Sequence, residues 1–153
     1  MEAKHKQFIR RKLIPFILRE HGRGFAMSTW CDIDLPVGEE VVEDGVLRRV
    51  PVCGTAACIG GSVNFIQNAS NLSMPVKAGR TLGLTDKQAA GLFYYWEPDY
   101  QMNTTRSHCW PYRFAKRFER ARTAWGKARV AVALLKEVMR TNGQCLENPH
   151  YGK

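Results

Sequence analysis

Between Pro111 and Gly143 the chain spells out two helices in succession, and that stretch limits the fold more than any other. Pro111 suits a first helical position, because its fixed φ fits the helix and its missing N–H would have no partner there. Phe114, Phe118, Ala121 and Trp125 then recur at i, i+4, i+7 and i+11, an apolar stripe that must be covered. This helix is expected to reach about Arg122. A second is expected from about Thr123 to Thr141, with Leu134, Leu135 and Val138 inward and Gly143 where a C-terminal cap belongs. Two amphipathic helices in a row require a body to pack on.

The remainder supplies one. Residues 4–20 read as a helix with Phe8, Leu13, Phe16 and Ile17 on its apolar side, kinked or divided at Pro15 and stopped by Gly22 and Gly24. Thr55 is placed as N-cap of a helix through "CGTAACIGGSVNFI", with Val63, Phe65 and Ile66 as bulk. A short helical piece follows at 76–82. "LTDKQAAGLFYYW" carries Thr85 and Gln88 in capping-box spacing, with Leu92, Phe93 and Trp96 apolar and Pro98 as the stop. "EEVVEDGVLRRV" holds Asp44-Gly45 between β-branched runs, so residues 40–50 are expected to form a two-stranded ribbon. The expected fold is mostly α (α+β): one compact domain over 1–153, a helical body at 55–142 and one small β-hairpin.

Totals support a single domain. A chain of 153 residues with 44% hydrophobic side chains can bury a substantial core. The basic opening stretch mimics a signal peptide, but its apolar run from Leu13 to Leu18 is short and Pro15 interrupts it. No run reaches the ~18 apolar residues that a bilayer demands. A cytoplasmic protein with no membrane partner is expected. Five cysteines at irregular spacing do not suggest a disulfide framework.

The net charge of +9 is unevenly spread. Residues 1–24 hold seven Lys/Arg against Glu2 and Glu20, and residues 106–140 hold ten against Glu119 and Glu137, while the middle is mildly acidic. Basic ends imply an anionic partner, or packing of the ends beside the middle. Arg113, Lys116, Arg117 and Arg120 fall at i, i+3, i+4 and i+7 on one stripe, and Arg129, Lys136 and Arg140 continue the charge on the last helix. Like charges one turn apart cost ~0.2–0.5 kcal/mol per pair, and Glu119 alone does not offset this. An external phosphate or acidic surface would. The plainer reading is a solvated charged face.

"CGTAACIGG" invites three readings. Cys53 ahead of a helix could hold a thiolate activated by His108, the pattern of a cysteine hydrolase or transferase. Cys53, Cys58, His108 and Cys109 could hold zinc, although the gap between the first two is loose and the last two are adjacent. Small residues also let a neighbouring helix approach closely, and with Cys58 as a buried apolar group this packing reading leads. Thr55 and the N–H groups after it then offer an anion seat. No metal, cofactor or catalysis is called for.

"FAMSTW", "CGTAACIGG", "GLTDKQAAGLFY", the pair Trp110-Pro111 and the Ala- and Arg-rich stretch from Ala121 to Met139 together resemble a loose family of small phage and bacterial proteins. The resemblance is one of order and spacing over most of the chain. It implies a self-contained cytosolic domain in a phage or bacterial setting, the host cytoplasm if phage-encoded, and by analogy an accessory role. The function expected is binding of an anionic partner: nucleic acid, a phosphorylated nucleotide or an acidic host protein surface. The alternatives are the cysteine enzyme and a protein–protein inhibitor of a host defence or regulatory factor that uses the ribbon edge. Oligomeric state is left open.

Overall fold

The computed structural model describes residues 1–22, 25, 39–43, 46–50, 58–67, 75–93 and 110–147. Most of these are helical. Helix α1 (Ala3–Phe8) runs through a π-helical turn (Ile9–Leu13) into α2 (Ile14–Leu18). Then come α3 (Ile59–Ile66), α4 (Pro75–Thr81), α5 (Asp86–Phe93), α6 (Tyr112–Arg120) and α7 (Ala124–Thr141), closed by a 3-10 turn (Gln144–Leu146). Backbone at Glu39–Glu43 and Val46–Val50 is aligned antiparallel, Glu39 opposite Val50.

Pro15 does not break the first helix. A proline inside a helix lacks an N–H and crowds the carbonyl four residues back. Here the ladder widens to the π turn just before it, and Pro15 sits in the first turn of α2. The widened turn aligns Ile9, Leu13 and Ile17, all buried, on one side. Ile9 therefore belongs to the core face, while the expected members Phe8 and Phe16 are only half-buried. Phe16 instead lies 5.4 Å from Phe65 of α3, with the Arg19 guanidinium 3.8 Å above its ring.

The helix ends earlier than expected, at Leu18, and the chain turns through left-handed Glu20, His21 and Gly22. Gly22 is needed there: at φ +74°, a Cβ would stand 2.7 Å from the Ala128 Cβ of α7. This contact seats the end of the first helix on the beginning of α7.

Helix α3 starts later than expected. Its N-cap is Cys58, whose Sγ accepts the Gly61 N–H at 3.4 Å, while the predicted cap Thr55 lies outside the described residues. Cys58 is buried as expected, but at the cap rather than a turn inside. The capping box of α5 forms as predicted. Thr85 N–H donates to Gln88 Oε1 and Gln88 N–H to Thr85 Oγ1, both at 3.2 Å. Fully buried Trp110 donates its indole N–H to the Leu92 carbonyl at 2.8 Å, satisfying one of the last acceptors of α5.

Pro111 precedes the first turn of α6 as N-cap, its ψ of 133° being extended rather than helical. The stripe drawn through Phe114, Phe118, Ala121 and Trp125 is broken. Helix α6 stops at Arg120, Ala121 is extended, and α7 restarts behind the Thr123 cap, whose Oγ1 accepts the Gly126 N–H at 3.0 Å. The break re-aims Trp125 outward, where it is 38% exposed. Helix α7 is the hub: it packs on α2, the Arg19–Gly22 turn, α6 and the final 3-10 turn, with Leu134, Leu135 and Val138 fully buried. Trp96 and Pro98 lie outside the described residues.

Candidate anion-binding surface

The predicted four-residue stripe on α6 does not act as one unit. Arg113 reaches across to α7, its guanidinium 2.8 Å from the Glu137 carboxylate. Arg140 holds the same carboxylate with two bonds, Nε to Oε2 at 3.0 Å and Nη2 to Oε1 at 2.7 Å. Lys116 stands 3.6 Å from Glu119 on its own helix. Packing of α6 on α7 brings a carboxylate to the stripe, so the repulsion attributed to it is partly offset inside the fold. Arg117 and Arg120 stay exposed, and among the described residues neither has a carboxylate partner.

The stronger concentration of charge lies elsewhere. Lys6 and Arg10 from the first helix and Lys136 and Arg140 from α7 line one groove of about 610 Å³, with Ile14 and Met139 as its apolar lining. Among the described residues no carboxylate lines it. The two basic ends of the chain meet here. Each helix presents two cations four residues apart, a spacing that costs ~0.2–0.5 kcal/mol per like-charged pair, and the two pairs face each other. Glu137 draws on Arg140 from the side. Among the described residues Lys6, Arg10 and Lys136 have no carboxylate partner.

The first helix runs antiparallel to α7. Its N-terminal part shares the groove with Lys136 and Arg140, while Gly22 rests on Ala124 and Ala128. Exposed Arg129 sits between these ends. Sequence reading missed Lys6 and Arg10 as site residues; the signal for them was the basic first segment, but only tertiary packing sets it beside α7.

Of the remaining candidates, Cys53, Thr55, His108 and Cys109 lie outside the described residues. Cys58 is buried, and so are Gly60 and Gly61 in the first turn of α3. Among the described residues no cluster of three His, Cys, Asp or Glu is placed to hold a metal. Nor, among the described residues, is any helix long and apolar enough to cross a membrane. Burial pushes the Cys145 thiol pKa above its ordinary value. Comparison with known proteins returns no match: no family model, no curated protein and no solved structure.

Proposed function

We propose that the protein works by binding an anionic partner, a nucleic acid, a phosphorylated nucleotide or an acidic protein surface, without catalysis. The observation that carries this is the convergence of Lys6, Arg10, Lys136 and Arg140 on one groove that no carboxylate lines among the described residues. A fold that leaves two like-charged pairs facing each other is strained in the direction that an anion relieves. Arg117, Arg120 and Arg129 extend the field around it. We further propose a phage or bacterial accessory role in the cytoplasm, and a folded β-hairpin over residues 40–50 as part of the domain.

Titration of inorganic polyphosphate by calorimetry tests the reading. Affinity should fall steeply with salt, by the counterion release expected of several neutralised phosphates. The triple change Lys6→Ala, Arg10→Ala and Lys136→Ala should remove most binding and leave the thermal midpoint close to wild type. Unchanged binding in that variant would defeat the proposal.

A further inference from the structure

One face of α7 carries more than charge. Trp125, Arg129, Lys136 and Arg140 are spaced at i, i+4, i+11 and i+15, which places them along one side of the helix. Trp125 is 38% exposed, and the exposed His21 meets it edge-on, ring centroids 5.6 Å apart at 63°. The same side faces the first helix at both ends, through His21 and Gly22 beside Trp125 and Ala128, and through Lys6 and Arg10 beside Lys136 and Arg140. The result is a track with an aromatic pair at one end, Arg129 between, and four cations at the other.

From this we infer that the ligand class of the groove is single-stranded nucleic acid, its backbone following the cations and a base stacking on Trp125. The inference rests on the anion-binding reading above and deepens it. Fifteen residues of helix separate Trp125 from Arg140, about 22 Å at the helical rise. A mononucleotide cannot touch both ends, so the ligand that uses them is a polymer. At the rise of a stacked strand that length corresponds to roughly six nucleotides, within the range of known single-strand sites. A seam between two packed helices, with axes ~8–10 Å apart, accepts one strand and not a duplex. A run of acidic side chains would satisfy the cations but brings no flat π-face of its own to the exposed indole, whereas every base carries one.

The test uses the intact protein and a fluorescently labelled twelve-nucleotide oligothymidine, with polyphosphate, a duplex of equal length and poly-glutamate as competitors. Trp125→Ala should weaken oligonucleotide binding about tenfold, the loss expected for one stacked base. It should leave polyphosphate binding unchanged, and Trp125→Phe should restore most of the loss. A duplex should compete poorly. If Trp125→Ala has no effect, or if duplex or poly-glutamate competes better than the single strand, the inference is overturned while the groove reading stands. If the Lys6, Arg10 and Lys136 triple variant still binds both oligonucleotide and polyphosphate, the underlying reading falls as well. A melting curve for each variant confirms the fold.

Discussion

Arg113 on α6 and Arg140 on α7 share one carboxylate, that of Glu137, whose side chain is only 12% exposed. The triad fastens α6 to α7 and at the same time engages the guanidinium of Arg140 where it lines the groove. Glu137→Gln should therefore move stability and binding in opposite directions. Loss of the ion pairs should cost about 1 kcal/mol, discounted for the exposure of both arginines. Release of Arg140 and the added positive charge should tighten polyphosphate binding several-fold at low salt. Urea unfolding and calorimetric titration of the same preparation would show both signs. A variant that loses affinity would mean that Glu137 orients Arg140 for binding.

Gly22 is where the first helix is pinned to α7. Its φ of +74° is a left-handed conformation, and a Cβ would press to 2.7 Å from the Ala128 Cβ. Gly22→Ala should cost about 2–3 kcal/mol, combining backbone strain with overpacking. Because Lys6 and Arg10 ride on that helix, anion affinity should drop even at temperatures where the variant is folded. Circular dichroism melts with a binding assay at low temperature would separate the two effects.

Gln88 joins three parts of the fold. Its Oε1 accepts the Thr85 N–H at 3.2 Å, its Nε2 donates to Glu147 at 2.9 Å, and Gly143 packs against its amide. The side chain is 7% exposed, so its polar atoms depend on these partners. Gln88→Ala should destabilise by about 2 kcal/mol, from a lost capping bond and a half-filled site. Glu147→Ala should cost less, because Gln88 keeps its capping bond with Thr85. Denaturant midpoints for the two variants would rank them.

Cys145 is fully buried in the 3-10 turn that follows α7, and burial raises its thiol pKa. With the folded value above the unfolded one, the unfolded thiol ionises first as the pH rises. The stability due to this group is complete below the ordinary thiol range and is lost as the pH climbs through the folded value. The wild-type minus Cys145→Ala difference in stability should accordingly shrink at alkaline pH. At neutral pH neither Cys145 nor Cys58 should react with maleimide until the protein unfolds.

Much of the helical body was legible in local sequence. The Thr85/Gln88 box, the short helix near 76–82, the Thr123 start and the close of α7, where left-handed Asn142 is the C-cap and Gly143 follows it, are written by caps and left-handed positions, whose physics involves only three or four neighbouring residues. Boundaries that depend on packing were not. Pro15 was absorbed by a π turn, and Cys58 replaced Thr55 as the first described cap of α3.

By itself, then, the sequence determined the amphipathic helices, their caps and the concentration of positive charge at both ends, because period, cap chemistry and charge are local properties. Only the tertiary structure decided how that charge is used. The break at Ala121 turned Trp125 outward, packing of α6 on α7 tied Arg113 to Glu137, and the antiparallel seating of the first helix through Gly22 set Lys6 and Arg10 opposite Lys136 and Arg140. Each joins residues from different elements, fixed by which apolar faces bury against one another rather than by any spacing along the chain.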